Sequence, residues 1–436
     1  MSWLDDHTGI VTLCTAISDL NGQPRGKRMT MAQAKKALKG RTKMPLSVLN
    51  VDVFGHDIED SPLVFESGDR DGLMVPTERG PVPMPWLSEP AAMIPMWMST
   101  TDQAPFPGDP RRALDAVLHR YAVRGWQVNA ATELEFYLVD DDEPHPLAER
   151  LAMGGDVMGL QSLEAYDEFF SDLYAACAKM GIPVETATSE SGAGQFEVTL
   201  SHGPAMKIAD DSWFFKMLVK GLARKHGMAA TFMAKPYDDD SGSGMHMHFS
   251  VVDSDGTNVF DDGTPAGNDT MRQAVAGCLA ALRDTTLIFA PHANSYDRLV
   301  PGAHAPTGIS WAYENRTAAL RIPDGPGAGR RIEHRVAGGD INPYLLFTAV
   351  LGAAILGIED RLEPPPPLAG NAYDQDLSTL PSDWADAVSC FEASPLVARL
   401  FPAPLVHNLV MTKRQEIQML DGVSEKDRFA LYFDRV

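Results

Sequence analysis

Gly242-Ser-Gly-Met-His-Met-His-Phe-Ser250 decides how the rest of this chain is read. In an extended strand, side chains alternate between two faces. His246, His248 and Ser250 therefore share one face, and Met245, Met247 and Phe249 the other. A polar strand face is ordinarily a solvated one, but three further stretches repeat the pattern. Ala131-Thr-Glu-Leu-Glu-Phe-Tyr-Leu138 puts Glu133 and Glu135 together, and Gly194-Gln-Phe-Glu-Val-Thr-Leu200 does the same for Gln195 and Glu197. Arg331-Ile-Glu-His-Arg335 aligns Arg331, Glu333 and Arg335. One arrangement accommodates all four: a curved antiparallel sheet whose concave face is a polar site and not a packed core.

Composition narrows the possibilities. Hydrophobic residues at 44% and charged residues at 22% are globular values. A net charge of -22 speaks against a nucleic-acid partner, which requires a basic footprint. Cys14, Cys177, Cys278 and Cys390 are far apart and form no C-x-x-C, so neither a zinc site nor a disulfide framework is indicated. A reducing cytoplasm fits. The longest near-apolar run, Tyr344–Gly357, is shorter than the ~20 residues a bilayer span requires. The opening residues show no basic and apolar export pattern. The expectation is a cytoplasmic protein with no membrane partner.

Along the chain, residues 8–80 mix short apolar runs with turns and read as a small α+β unit. Eight prolines fall between Pro81 and Pro110, too many for a helix or a central strand, so this stretch reads as an extended connector. Asp109 is a helix N-cap with Pro110 at the first position. Leu114, Val117, Leu118 and Tyr121 follow at helical spacing, and Gly125 closes the helix. Helices are expected at 163–180 and 207–226, ended by Gly181 and Gly227, and further on at 269–289, 343–359 and from Pro381 onward. Strands are expected at 128–139, 229–234 and 245–252. The fold class is α+β, with residues 1–105 and 106–436 as two domains.

Glu133, Glu135, Glu190, Glu197, Glu333 and His246 are the candidate metal ligands. Five carboxylates on one face repel unless protonated, paired or metal-bound. Oxygen donors suit Mg²⁺ or Mn²⁺, and six ligands divide sensibly between two ions. A second set is cationic: Arg298, Arg316, Arg321, Arg330, Arg331 and Arg335. Guanidinium forks match carboxylate and phosphate, and arginine beside a divalent metal is the equipment of phosphoryl transfer. Gly22-Gln-Pro-Arg-Gly-Lys27 has the wrong spacing for a P-loop.

These segments resemble the glutamine synthetase superfamily over most of residues 106–360. The resemblance rests on Glu133-Leu-Glu-Phe136, Glu190-Ser-Gly-Ala-Gly-Gln-Phe-Glu197, and Lys235-Pro followed by Gly242-Ser-Gly-Met-His-Met-His248. It continues in Asn294-Ser-Tyr-Asp-Arg-Leu-Val-Pro-Gly302, Asn315-Arg-Thr-Ala-Ala-Leu-Arg-Ile-Pro323, and Arg330-Arg-Ile-Glu-His-Arg335 with Asn342-Pro-Tyr344. It implies a small β-grasp-like N-terminal domain and a larger catalytic domain with a curved antiparallel sheet flanked by helices. It also implies homo-oligomeric rings, usually double hexamers, with sites between subunits. The implied reaction is ATP-dependent ligation: ATP phosphorylates the γ-carboxylate of L-glutamate, and an amine displaces phosphate. Glu135, Glu190 and Glu197 would hold one Mg²⁺ or Mn²⁺, and Glu133, His246 and Glu333 the other, with two or three ions in all. Arg298 and Gly242 would bind glutamate, with Arg335 near its reacting end and Arg316 on the transferring phosphoryl group. Arg321, Arg331, His248 and Ser250 would face ATP.

Two departures bear on the nucleophile. Ammonia-using members carry Pro-Gly-x-Glu-Ala-Pro in the flap, whereas this chain has Pro301-Gly-Ala-His304-Ala-Pro306. An imidazole accepts a proton near neutrality but supplies no fixed negative charge. The Asp-Gly-Ser-Ser turn bearing an ammonium-binding Asp is absent; Val51-Asp-Val-Phe-Gly-His56 stands there, with Asp52, Asp69 and Asp71 as the nearby carboxylates. The adenylylation loop of bacterial ammonia-using members is not recognisable after Pro367. The branch making γ-glutamyl derivatives of alkylamines or polyamines is similar, particularly around Ile309–Arg321 and Arg335–Tyr344. Trp311 would offer an aromatic face to an alkylammonium. The expected activity is a glutamate–primary amine ligase; glutamine synthetase using ammonia and a non-catalytic structural or regulatory relative are the alternatives.

Overall fold

Seven residues, Thr12–Ser18, begin the first sheet as β1, followed by β2 (Pro24–Thr30), β3 (Thr42–Pro45), β4 (Asp71–Pro76), β5 (Val82–Pro83) and β6 (Ala91–Ser99). The order is β2-β1-β6-β4-β3, with β5 beside β6. The computed structural model describes residues 7, 9–140, 155–264 and 266–436. Strand β6 corrects the reading of Pro81–Pro110 as a connector, because Ala91–Ser99 is the middle of this sheet. Its Pro95 is tolerated because pairing changes there: β1 matches residues 91–95 in parallel, and β4 matches 96–99 antiparallel. The Pro95 carbonyl still accepts from the Thr77 N–H at 3.1 Å. A proline disrupts a strand only where its missing N–H is required.

The second sheet has eight strands: β7 (Gln127–Asp140), β8 (Val184–Ser189), β9 (Gln195–Pro204), β10 (Met228–Thr231), β11 (Met245–Val252), β12 (Trp311–Tyr313), β13 (Leu320–Ile322) and β14 (Ile332–His334). Their order is β12-β13-β14-β11-β7-β9-β8, with β10 on the far end of β7. All pairings are antiparallel except β12 with β13. The apolar face of β7 meets the helix Ala205–Lys225, where Phe136 packs edge-on to Phe215 at 6.3 Å.

Asp109 caps the helix Pro110–Ala122, its Oδ1 accepting from Arg111 N at 2.9 Å. Leu114, Val117 and Tyr121 are buried, and the Tyr121 hydroxyl donates to Leu351 O in the helix Pro343–Asp360. That apolar helix is a core element, buried from Pro343 to Gly357. It crosses the helix Asp269–Ala281 backbone to backbone, since a Cβ on Gly277 would lie 2.1 Å from Ala353 O. The continuous helix expected at 269–289 stops at Ala281 and resumes as Thr286–Phe289. The Thr285 and Thr286 hydroxyls bond back to Ala281 O and Leu282 O there, the local competition that unsettles helix interiors. The helix expected at 163–180 is likewise two pieces, Leu160–Glu164 and Asp167–Met180, ending on left-handed Gly181.

The helix Ala403–Leu420 returns the chain to the first sheet. Asn50 Nδ2 donates to Asn408 O and Thr412 Oγ1, and Val53 N donates to Glu416 Oε1 at 2.8 Å. Asn21 joins the same buried group: its amide donates to Glu416 at 3.2 Å and its carbonyl accepts from Lys413 at 2.5 Å.

Candidate active site

Strand register builds the site. Glu133 on β7 stands opposite His246 on β11, and Glu135 opposite Glu197 on β9. On the other side, His248 stands opposite Glu333 on β14, which stands opposite Arg321 on β13. Across β13-β14-β11-β7-β9 the sheet therefore presents Arg321, Glu333, the two histidines, Glu133 with Glu135, and Glu197 as one row. Like charges directly across a strand pair destabilise it, so the Glu135–Glu197 pairing needs a counter-charge.

The ligand atoms of Glu133, His246 and Glu333 lie within 4.8 Å of one another, and so do those of Glu135, Glu197 and His246. His246 is common to both groups. Glu190, grouped by resemblance with Glu135 and Glu197, sits in the turn after β8 and belongs to neither. It is still close enough to matter: burial, then the charges of Glu135 and Glu133, push its carboxyl up to about 7.

Electrostatics divide the row. Burial works against ionised Glu133, but hydrogen bonds to His246 Nδ1 at 2.9 Å and His248 Nε2 at 3.0 Å hold it well below the usual carboxylate range. Glu333 is likewise lowered against its burial by the His248 and Arg335 charges. Glu197 goes the other way. Burial and the charges of Glu133, Glu135 and Glu190 push it up to about 9. Carboxylates that frustrate one another around a single imidazole fit hard divalent cations. The donor set thus suits Mg²⁺ or Mn²⁺.

The arginines also divide. Arg321 Nη1 donates to Glu333 at 2.7 Å, with Glu314 beyond it at 3.3 Å, and Arg335 donates to the other Glu333 oxygen and to Arg316 O. Arg298, Arg316 and Arg331 have no carboxylate within 4.0 Å among the described residues. Arg298 is buried and donates to Val336 O at 2.7 Å, Arg331 reaches Gly329 O at 3.3 Å, and Arg316 is exposed. Arg330 is buried and donates to Thr264 O, which fixes the neighbouring loop.

The glycines of Gly242-Ser-Gly244 have a spatial reason. A Cβ on Gly242 would lie 2.8 Å from Arg298 Cγ, and one on Gly244 2.6 Å from Arg298 Nη2. Arg298 can lie along this turn only because both lack side chains. Gly244 N–H also donates to Glu135 Oε2 at 2.6 Å, fixing that carboxylate.

Beside the row lies a cavity of about 520 Å³, lined among others by His248, Ser250, Arg331, Asn129, Glu185 and His202. His248 Nδ1 is buried there without a partner. Asn129, Thr199 and Gly244 were not singled out from sequence. The first two simply continue the alternating faces of Glu133 and Glu197, so a longer reading of the same period would have found them. Glu185 and His202 carry no local signal.

One expectation changes. Trp311 is buried, its ring packs against Tyr313, and its Nε1–H donates to Pro365 O at 2.7 Å. It is a packing residue and does not offer a face to substrate. Asp52 is buried and accepts from Phe54 N, His56 N and Gln415 Nε2. That organises a turn and leaves little for an ammonium. Asp69 accepts from the Ser47 hydroxyl at 2.6 Å, and Asp71 is exposed at the start of β4. His304 is exposed, in the left-handed region at φ +56°.

Comparison with known proteins fits this geometry. The family "Glutamine synthetase, catalytic domain" matches residues 107–432. The γ-glutamylputrescine synthetase of Escherichia coli is 34% identical, over 92% of this chain and 87% of its own. The γ-glutamylethanolamide synthetase of Streptomyces coelicolor is 32% identical, over 98% and 93%. A crystal structure of a glutamine synthase homolog superposes with a TM-score of 0.85 at 26% identity, covering 98% of this chain and 99% of that one. The chain belongs to the glutamine synthetase superfamily, with γ-glutamyl-amine ligases among its full-length relatives.

Proposed function

We propose that this protein joins the γ-carboxylate of L-glutamate to a primary amine larger than ammonia, using ATP, with each residue of the row in a definite role. The observation that carries the reading is the division of charge: Arg298, Arg316 and Arg331 have no carboxylate partner, while Glu135 and Glu197 face each other across a strand pair without a paired cation. Substrate anions and divalent cations complete both sets.

Glu133, His246 and Glu333 would hold one Mg²⁺ or Mn²⁺, and Glu135 with Glu197, next to Glu190 and His246, another. Such ions supply charge neutralisation for the phosphates of ATP. Arg298, a buried guanidinium against Gly242, receives glutamate. Arg331, Ser250 and His248 line the cavity that takes ATP, and Arg321 follows in the row, paired with Glu333 opposite His248. Arg316 and Arg335 face the phosphoryl group as it moves to the γ-carboxylate, where preformed cations lower the barrier. Transfer leaves γ-glutamyl phosphate and ADP. The amine nitrogen then attacks the acyl carbon, phosphate leaves with the C–O bonding pair, and His304 takes the amine proton.

The first sheet fits a β-grasp-like domain over residues 1–105, with the helix Met31–Ala37 packed on β1 and β4; residues 106–436 form the catalytic domain. A double hexameric ring would let a neighbouring subunit complete the amine pocket. The four unpaired thiols suit a cytoplasmic setting.

The test is phosphate release from ATP and glutamate with ammonia, methylamine, ethanolamine, putrescine and spermidine. The reading expects an alkylamine or polyamine to give the highest kcat/KM. Ammonia ranking first would make the protein a glutamine synthetase, and no turnover with any amine would make it a non-catalytic relative.

A further inference from the structure

Past the four prolines Pro364–Pro367, the chain does not leave the site. It lies back along residues 305–317 as a strap. Leu368 N–H donates to Trp311 O at 2.8 Å, and Gly370 O accepts from Asn315 Nδ2 at 2.7 Å. Ala372 N–H donates to Thr317 Oγ1 at 2.9 Å, and Ile309 N–H to Ser378 O at 2.7 Å. These bonds secure both sides of the stretch, including the turn that carries Arg316.

At the middle of the strap is Tyr373, in a short helical turn over Ala372–Asp374 that Asn371 caps. Its ring is half-buried, and its hydroxyl donates to Ala305 O at 3.0 Å. Ala305 is the residue after His304. Tyr373 is also close enough to Arg298 and Arg335 for both guanidinium charges to act on its phenol. One side chain thus touches the flap backbone and borders the two arginines assigned above to glutamate and to its reacting end.

His304 gives the contact its meaning. It holds a left-handed backbone at φ +56°, a strained conformation for a non-glycine residue that persists only where neighbours impose it. Among the described residues, the Tyr373 hydroxyl is the side-chain group that grips the adjoining peptide.

We infer that Tyr373 is a positioning residue, holding the flap so that His304 faces the amine and water is kept from γ-glutamyl phosphate. This rests on the ligase reading above. With the grip lost, water competes with the amine at the acyl carbon. The water oxygen bonds to that carbon, phosphate leaves with the C–O pair, and glutamate is regenerated. ATP is then consumed without amide being formed.

The experiment compares wild-type protein with Tyr373→Phe, which keeps the ring and removes the hydroxyl. Phosphate and amide are measured in parallel, using the amine the wild type handles best. Wild type is expected to give equal amounts. Tyr373→Phe should raise the KM for the amine about fivefold, the effect of one lost hydrogen bond, and yield clearly more phosphate than amide while the KM for ATP stays put. Thr317→Val, which loosens the strap from its Ala372 end, should shift the same ratio in the same direction by less. A purely structural contact would lower kcat with the ratio still at unity. That result, or wild-type KM and ratio in both variants, overturns the inference. Absence of phosphate in the wild type with every amine would instead refute the ligase reading itself.

Discussion

Two buried charged groups in this protein are built on opposite principles. Where the helix Ala403–Leu420 meets the first sheet, Lys413 and Glu416 lie 2.8 Å apart, fully buried. Glu416 also accepts from Val53 N and Asn21, and Lys413 donates to Asn21. Charge and hydrogen bonds close on themselves. In the second sheet, Glu197 faces Glu135 across a strand pair and accepts no hydrogen bond among the described residues. The first group is complete as it stands; the second becomes complete only with something from solution. A buried charge that is satisfied speaks of architecture, and one left wanting speaks of a ligand.

The contrast is testable. Glu197→Gln and Glu333→Ala should lower turnover by at least about a thousandfold, while Glu197→Gln leaves metal-free thermal stability near neutral pH unchanged, because Gln replaces a carboxyl held protonated up to about 9 without metal. Full activity in either variant would dissolve the distinction. Lys413→Met should do the reverse. Stranding Glu416 without its partner costs about 3–5 kcal/mol, read by urea unfolding, with the folded fraction retaining normal KM values.

Ions should act on one region alone. Mg²⁺ at a hundred times its Kd should stabilise the wild type by about 2.7 kcal/mol, and Glu197→Gln by much less. In metal-free protein, Glu197 near 9 and Glu190 near 7 keep their protons more tightly folded than unfolded. Their contribution is therefore greatest below the ordinary carboxylate value of about 4.5, and it is lost as pH rises towards 9. Saturating Mg²⁺ should flatten that slope; a slope that magnesium leaves unchanged would place the ions elsewhere. The smallest effect is expected for His304→Glu: a shift on the order of tenfold in the ratio of kcat/KM for ammonia to that for the preferred amine. No shift would remove His304 from nucleophile choice.

What could be seen in the sequence follows strand length. β7, β9 and β11 are long enough for alternation to expose Glu133, Glu135, Gln195, Glu197, His246 and His248 on their faces. β14 spans only Ile332–His334, so Glu333 depended on its flanking arginines and the family likeness. Glu190 lies in a turn, where no period applies. Trp311 went wrong because an aromatic side chain looks the same in sequence whether it packs inward or faces a substrate. Ala91–Ser99 went wrong because a proline at a change of pairing partner cannot be told from one that blocks a strand. The Tyr373 contact joins residues 68 apart and has no local signature.

The bond between Asn21 and Glu416 spans 395 positions. At ribosomal rates the early asparagine emerges roughly 20 to 80 s before its glutamate exists. Through that interval the amino-terminal sheet waits with one side unfinished, and the molecule locks together only when the last long helix arrives.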